Sequence, residues 1–491
     1  MRRPLFIALL ICLFIVQAGW TQTPAETYSD SPALPEGVRG ERIKAIIDTL
    51  NSGDPEKIRQ FLTNHCTERF RNMVPIDGHI EVFLGFFQET GGVQFSGIRT
   101  YAPERKGQTV VIVKDRNYDS YRGITIRFGD APEYLIGGAG INPARPPADL
   151  KEPPLTEDQF LAQTKAFMAK LIDKGMFSGT LLIAKGDQVL LTMAAGEASK
   201  AFHVLNNIDT KFNLGSMNKM FTSTAVVQLA EKGKLSLDDP ISRYVDDSWL
   251  PKEVTSRITI RHLLTHSSGL GSYFNETYDK SSRALFRKLD DYKPLIKDDR
   301  PAFEPGTKFQ YSNTGMFLLG VVIEKVTGED YFSYIRKAIY EPAGMTNSDC
   351  YEMDYPVENL AIGYSPDPKS PYGWQNNLYK HVIKGGPAGG GFSTVKDLHK
   401  FALALLSGSY VSKDALKAMW TDQLKANYGY GFSVSEGPAG KVVGHGGGFD
   451  GINSNLDIYL DSSYIVAVMS NTDRGASPVA AKISGFLARV K

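Results

Sequence analysis

A serine and a lysine lie three residues apart at the start of an apolar segment with helical spacing. The segment Ser216-Met217-Asn218-Lys219 follows Gly215 and opens a predicted helix over residues 220–232. Residues i and i+3 of a helix share a face, so the Ser216 hydroxyl and the Lys219 amine can meet. Serine is a weak nucleophile without an adjacent base, and a buried lysine that stays partly neutral can be that base. The same pattern occurs by chance at ordinary helix N-termini, so its chemistry depends on the rest of the chain.

A tyrosine and an asparagine stand two residues apart in Tyr311-Ser312-Asn313, just before a predicted helix over residues 315–327. Residues i and i+2 do not share a helix face, so both side chains point into one site only from a turn or loop. From such a loop, Tyr311 could share a proton relay with Lys219. Asn313 could hold a carbonyl or amide group of a substrate.

A run of glycines around a histidine, Gly444-His445-Gly446-Gly447-Gly448, follows a predicted strand over residues 441–445. Glycines let a strand edge approach another backbone or a ligand closely. The backbone N–H groups of Gly448 and Ser216 are therefore candidates for an oxyanion hole, in which each donor is worth about 10²–10³ in rate. The alternative for His445 is a side chain that satisfies the turn without touching a substrate.

In their order and approximate spacing, the three motifs resemble those of the serine β-lactamases and penicillin-binding proteins, in the class C and esterase-like branch. The connecting segments 235–240, 258–270 and 387–391 also look like segments of that family. The resemblance covers about residues 158–491 and leaves out the N-terminal part. It implies a serine hydrolase that works through an acyl-enzyme, with neither a metal nor a cofactor.

The resemblance also assigns roles residue by residue. It makes Ser216 the nucleophile, while Lys219 and Tyr311 move its proton to the leaving group and later activate water. The residues that it places against the substrate are Asn313, His445, Gly446 and Gly447, and the oxyanion hole falls on Ser216 and Gly448.

His445 occupies a position where penicillin-recognising members of the family usually have lysine. A lysine there pairs with a substrate carboxylate, whereas a neutral histidine pairs with it weakly. This departure disfavours β-lactamase or carboxypeptidase activity and favours an esterase-like enzyme or an amide hydrolase, acting on a small-molecule ester or amide or on a peptide. Two alternatives remain open: a D-amino-acid peptidase of cell-wall metabolism, and a catalytically silent binding protein with the same fold. The presence of Ser216, Lys219, Tyr311 and Asn313 together argues against the silent protein.

Two other patterns are set aside. His262 and His266 have the i, i+4 spacing of a zinc site, but Leu263 stands where the catalytic form has glutamate. The resemblance makes both histidines structural. The chain also contains no Gly-x-Ser-x-Gly, which disfavours a classical α/β-hydrolase.

The N-terminus reads as a secretory signal. Arg2 and Arg3 precede an apolar run over residues 4–16, which predicts a signal peptide at residues 1–18 and a periplasmic or extracellular protein. The run is short for a membrane span, so we expect no stable membrane anchor after cleavage; an uncleaved anchor is the alternative. Removing residues 1–18 changes the formal charge from +1 to −1, and a near-neutral chain disfavours nucleic acid as a partner.

Residues 36–142 are predicted to form a small α+β domain, after a flexible lead-in at residues 19–35. Helical spacing at residues 42–51, 55–64 and 79–88 comes before strand-like runs at 93–101, 109–114, 123–128 and 133–138. This order is typical of cone-shaped domains that resemble nuclear transport factor 2. We expect residues 36–142 to serve as an accessory or dimerising domain. A Pro-rich linker follows at residues 143–157.

The larger domain, residues 158–491, is predicted to be α/β (α+β). A helix at 157–174 precedes a hairpin at 179–193, the middle of the domain is mostly helical, strands return at 441–470, and a helix covers 478–490. Early and late strands are expected to form one antiparallel sheet flanked by the first and last helices. The middle would then form a helical lobe, with the site in the cleft between lobes. The oligomeric state is left open.

Overall fold

Two separate cores divide the chain between Pro154 and Leu155. The computed structural model describes residues 27–491, and the predicted signal peptide at residues 1–18 lies outside this range. Among the described residues, no helix has both the length and the apolar character to cross a membrane. Cys66 and Cys350 are buried free thiols.

The first unit packs helices against a curved, five-stranded antiparallel sheet with strand order β1-β2-β3-β4-β5. Its core joins buried isoleucines and leucines of the helices to valines and isoleucines of β3 and β4. The elements are β1 Thr27–Ser31, α1 Val38–Leu50, α2 Pro55–His65, α3 Glu68–Arg71, α4 Ile76–Thr90, β2 Val93–Ala102, β3 Thr109–Asp115, β4 Tyr121–Phe128 and β5 Ile136–Pro143. The assignment to the nuclear-transport-factor-2 class stays a prediction.

The expected flexible lead-in is wrong for residues 27–31, which form the edge strand β1 beside β2. A buried ion pair explains the difference, since Arg99 Nε lies 2.9 Å from Asp30 Oδ1 and the two side chains are 1% and 4% exposed. The Asp30 carboxylate also accepts a hydrogen bond from the N–H of Ala148, while Arg99 donates to the carbonyl of Pro146. This ion pair therefore attaches both ends of the first unit to its sheet, a contact that strand propensity cannot reveal.

The second unit is built on a six-stranded antiparallel sheet. The described strands of the second unit are β6 Gly179–Lys185, β7 Gln188–Ala195, β8 Glu197–Ser199, β9 Val204–Leu205, β10 Phe212–Asn213, β11 Tyr364–Pro366, β12 Trp374–Asn376, β13 Phe392–Ser393, β14 Ser433–Gly437, β15 Gly440–Phe449, β16 Ile452–Tyr459 and β17 Tyr464–Ser470. The pairs β8–β9, β10–β13 and β11–β12 form small two-stranded sheets. The sheet order is β14-β15-β16-β17-β6-β7, so β17 pairs with β6 and the early and late strands share one sheet, as predicted.

Helices cover the sheet and form a second lobe. The helices are α5 Glu157–Asp173, α6 Asn218–Glu231, α7 Lys252–Thr255, α8 Ile260–Leu264, α9 Glu276–Lys280, α10 Lys293–Ile296, α11 Asn313–Thr327, α12 Tyr331–Ile335, α13 Val395–Leu406, α14 Lys413–Met419 and α15 Ser477–Leu487. Short 3₁₀ turns span Gly215–Met217, Ile241–Arg243, Arg283–Leu285, Leu289–Tyr292 and Glu341–Ala343, and Arg336–Tyr340 is a π-helical turn.

Burial shows how the sheet and the helical lobe meet. Every residue of β17 is buried, and side chains alternate between the two faces of a strand, so both faces of the sheet are covered. The α13 helix packs against β17 and β6, and α15 packs against β16, β17 and α5. In the helical lobe, every residue of α6 from Asn218 to Leu229 is buried, and α11 packs against this helix. The predicted two-lobed fold is confirmed, and α6 is its central buried helix.

Candidate active site

The Ser216 turn leads directly into the central helix. Ser216 lies in the 3₁₀ turn Gly215–Met217, between the short strand β10 and α6. The Asn213 side chain accepts the N–H of Gly215 at 2.9 Å, and the carbonyl of Leu214 accepts the N–H of Met217 at 3.1 Å. Because α6 is buried on all sides, the turn at its start cannot shift without moving the helical core.

The Lys219 amine is fully buried and contacts three oxygen atoms. Its Nζ lies 3.0 Å from Ser216 Oγ, 2.9 Å from Asn313 Oδ1 and 2.5 Å from the carbonyl of Ala388. None of these acceptors carries a negative charge, and burial holds the pKa of Lys219 well below its usual value. A neutral amine has two N–H donors and one lone pair. It can donate to Asn313 and Ala388 and accept the proton of the Ser216 hydroxyl.

Tyr311 lies next to both Ser216 and Lys219. Its hydroxyl is hydrogen-bonded to Ser216, and its ring centroid is 4.8 Å from Lys219 Nζ. Burial raises the pKa of Tyr311, although the hydrogen bond with Ser216 opposes this effect. The phenol therefore holds its proton at neutral pH. The residue as a whole is 38% exposed, so the burial that acts on its hydroxyl does not extend over the entire side chain.

Asn313 is the first residue of α11, and both ends of its amide have protein partners. Its Oδ1 accepts from Lys219, and its Nδ2 donates to Ser272 Oγ at 3.2 Å. Ser312 caps the helix, because its Oγ accepts the N–H of Gly315 at 2.8 Å. The structure thus shows Asn313 orienting the lysine, while the expected contact with substrate stays a prediction.

The glycine strand β15 lies directly on the Ser216 turn. A Cβ atom added to Gly447 would sit 1.8 Å from the carbonyl oxygen of Leu214, and one added to Gly215 would sit 2.8 Å from the N of Gly448. Only glycine allows so close an approach of the two backbones. The two segments that carry the N–H groups of Ser216 and Gly448 therefore lie next to each other. The use of these two groups as an oxyanion hole stays a prediction.

His445 is buried and neutral. Its Nε2 lies 2.9 Å from the Tyr428 hydroxyl and its Nδ1 lies 2.5 Å from the carbonyl of Gly446, so Nδ1 carries the proton. Burial is the main cause that lowers the pKa of His445, to about 3. Since both ring nitrogens already have partners, direct contact with a substrate would require one hydrogen bond to break. A contact between His445 and a substrate stays a prediction. The lack of charge on His445, in contrast, follows from its burial.

His266, the second histidine of the i, i+4 pair, packs directly on Tyr311. The two ring centroids are 4.2 Å apart. The N–H groups of the residues on either side of Tyr311 both bond to His266: Gln310 donates to its carbonyl at 2.8 Å, and Ser312 donates to its Nδ1 at 3.0 Å. His266 itself has a φ of 54°, which is uncommon for a residue with a side chain. No local pattern could have revealed a contact between segments so far apart in the chain.

His262, the other histidine of the i, i+4 pair, has a different role. Its Nδ1 accepts the N–H of Thr259, whose hydroxyl in turn accepts the N–H of His262, and together they cap α8. Across the described part of the chain, no group of histidine, cysteine and acidic side chains is arranged to hold a metal ion.

Comparison with known proteins identifies the fold. Residues 159–487, well over half of the chain, match the protein family described as Beta-lactamase. The chain belongs to the beta-lactamase family. It is 31% identical over 320 residues to penicillin-binding protein 4* of Bacillus subtilis strain 168. The alignment covers 61% of this chain and 69% of that protein.

Solved structures agree with this assignment. A penicillin-binding protein from Bacillus halodurans is 30% identical with a TM-score of 0.60, covering 65% of this chain and 99% of the other. A D-stereospecific amidohydrolase from Streptomyces sp. is 26% identical with a TM-score of 0.55, covering 66% of this chain and 97% of the other. Members of the beta-lactamase family are serine hydrolases, and this chain is one of them.

Two neighbouring glycines of β15 test the backbone contact. We expect Gly447→Ala to lower Tm and to slow labelling of Ser216 by a fluorophosphonate by about tenfold or more, because a misplaced reactive group loses rate steeply. Gly446→Ala is the matched control, since its Cβ would lie 3.5 Å from the nearest atom, an ordinary contact. Its Tm should stay close to that of the parent. Equal Tm values for the two variants would contradict the close approach.

His266 variants test the support of Tyr311. His266→Leu removes the acceptor for the Ser312 N–H, so labelling of Ser216 should slow by about tenfold or more. His266→Asn keeps an acceptor oxygen and tolerates the positive φ, so its loss should be smaller. In a Tyr311→Phe background, His266→Leu should add little further loss. The same loss in both backgrounds would mean that His266 does not act through Tyr311.

Proposed function

We propose that the chain hydrolyses an uncharged ester or amide through an acyl-enzyme on Ser216, with esterase-like specificity. The observation that carries this proposal is the buried Lys219 amine, 3.0 Å from Ser216 Oγ and without a negatively charged acceptor among its three partners. A lysine in these surroundings is neutral and can take the proton of the serine hydroxyl.

The proposed reaction has two halves. Ser216 Oγ attacks the carbonyl carbon as Lys219 accepts its proton, and the N–H groups of Ser216 and Gly448 bind the resulting oxyanion. The protonated Lys219 and Tyr311 then pass a proton to the leaving alcohol or amine, and the carbonyl reforms as the acyl-enzyme. In the second half, the same pair removes a proton from water, and the water oxygen attacks the acyl carbon. The bond between that carbon and Ser216 Oγ then breaks, the acid leaves, and the pair returns the proton to Ser216 Oγ.

Neutral His445 supports an uncharged substrate. A carboxylate bound beside His445 would need a cation, and burial keeps His445 uncharged at neutral pH. The rival is a D-amino-acid peptidase or amidase, favoured by similarity to a D-stereospecific amidohydrolase and to penicillin-binding proteins. A silent binding protein is disfavoured because the hydrogen bonds among Ser216, Lys219 and Asn313 are intact. Action outside the cytoplasm, after cleavage of residues 1–18, is part of the proposal.

Intact-mass spectrometry distinguishes these functions. The mature protein is mixed in parallel with p-nitrophenyl butyrate, a D-alanyl-D-alanine peptide and benzylpenicillin. We expect ester turnover or an acyl adduct that is absent in Ser216→Ala, and no stable penicillin adduct, because the penicillin carboxylate has no cationic partner at His445. A stable penicillin adduct with peptide turnover would favour the peptidase. No adduct, no turnover and no fluorophosphonate label would contradict the hydrolase proposal.

The pH dependence tests Lys219 as the base. The base must be neutral, so kcat/KM should rise with pH through the pKa of Lys219 and level off well below pH 10, because that pKa is lowered by burial. Lys219→Arg stays protonated and should lose about 10²–10⁴-fold. Lys232→Arg, at the exposed C-terminal end of the same helix, is the matched control and should keep the parent rate. A rate and pH profile for Lys219→Arg equal to those of the parent would exclude Lys219 as the base.

A further inference from the structure

Two phenylalanine rings remain exposed next to the site. Phe274 is 43% exposed and Phe449 is 38% exposed. Their ring centroids are 5.9 Å apart with the planes 22° from parallel, so the rings form one stacked aromatic surface. Large apolar side chains that stay in contact with water beside a reactive group are typical of a binding surface.

The two rings reach the site from different segments. Phe449 ends β15 and directly follows Gly448, whose N would lie 2.8 Å from a Cβ on Gly215. Phe274 lies two residues after Ser272, whose hydroxyl accepts from Asn313 Nδ2 at 3.2 Å. Since Asn313 and Gly215 both adjoin the Ser216–Lys219 pair, the stacked rings bridge two segments that flank the nucleophile.

Two buried tyrosine rings pack against Phe274. The Tyr273 ring centroid is 4.6 Å away and the Tyr278 ring meets it edge-on at 4.9 Å. Both tyrosines are buried, at 6% and 2% exposure. The N–H of Phe274 also donates to Ser272 Oγ at 3.3 Å. A ring with fixed neighbours loses little conformational freedom when a ligand binds, so its exposed face is prepared for contact.

The charged residue that follows Phe449 in the chain has a partner. Asp450 Oδ2 lies 2.6 Å from Lys380 Nζ, and His445, on the same strand as Phe449, is neutral. A charged substrate group would have to leave water or break this ion pair, whereas an apolar group would gain by covering two exposed rings.

We propose that Phe274 and Phe449 form a subsite for an uncharged aromatic group of the ester or amide substrate. This assignment rests on the proposed function, because the bound group belongs to the substrate that acylates Ser216. It defines the substrate class as aryl-substituted esters or amides, in preference to small aliphatic ones.

Three esters test the subsite, and a pH-stat measures the acid that their hydrolysis releases. Ethyl acetate is the reference, ethyl phenylacetate carries the ring on the acyl side, and benzyl acetate carries it on the alcohol side. We expect one of the two aryl esters to exceed ethyl acetate in kcat/KM by about tenfold or more, as expected when apolar contacts discriminate between substrates. The preferred ester shows whether the acyl or the alcohol group occupies the subsite.

Variants then connect the preference to the rings. Phe274→Ala and Phe449→Ala should each lower the aryl-to-ethyl-acetate ratio of kcat/KM by about fivefold to tenfold, and the Leu variants should lower it less. Phe202→Ala removes a phenylalanine that is 80% exposed elsewhere in the second unit and should keep the parent ratio. Exposed rings are chosen so that the variants fold, which Tm verifies.

The outcomes separate the subsite from the proposed function. A protein that labels with fluorophosphonate at Ser216 but shows no aryl preference, or keeps its preference in both Ala variants, overturns the subsite alone. A protein that neither labels nor turns over any ester overturns the proposed function, and the subsite with it. An aryl preference that falls in both Ala variants and persists in Phe202→Ala supports the assignment.

Discussion

A lysine amine buried without a carboxylate partner is the constraint on which the rest of this site depends. Dehydrating an ammonium ion is costly unless an opposite charge accompanies it, so Lys219 gives up its proton instead. The neutral acceptors Asn313 and Ala388 then orient the amine toward Ser216. A carboxylate beside Lys219 would stabilise the charged ammonium form and would leave the amine unable to act as the proposed base. The fold accordingly holds this amine with an amide and a backbone carbonyl.

Holding the amine requires contributions from segments that are distant in the chain. The central helix α6 supplies the serine and lysine, α11 supplies Asn313, and the glycine-rich loop before β13 supplies the carbonyl of Ala388. The glycines of β15 let a strand lie against the Ser216 turn at a distance that excludes any side chain. His266 bonds on both sides of Tyr311 and so holds the phenol over the same serine. The β15 contact and the hydrogen bonds to His266 fix backbone segments on two sides of these side chains, which keeps the side chains in one geometry.

Lys219 is not the only buried basic side chain of the candidate site that is uncharged. His445 is neutral for the same reason as Lys219, because burial disfavours a cation, and Tyr428 and the Gly446 carbonyl occupy its two nitrogens. On the same strand, Phe449 stacks on Phe274, and both rings are partly exposed. The proposed preference for substrates with apolar groups and no carboxylate rests on these two features.

Much of this site was predictable from local rules. The serine and lysine meet because three residues of helical backbone bring them together, and the turn before α11 follows from an asparagine and a tyrosine that cannot share a helix face. The order of strands and helices likewise indicated one sheet with a helical lobe. The edge strand at residues 27–31, the support from His266 and the internal bonding of His445 could not be found this way. Each depends on partners far along the chain, and the burial that sets the pKa of Lys219 and His445 exists only when those segments pack together, because desolvation is a property of the assembled surroundings rather than of a residue and its neighbours.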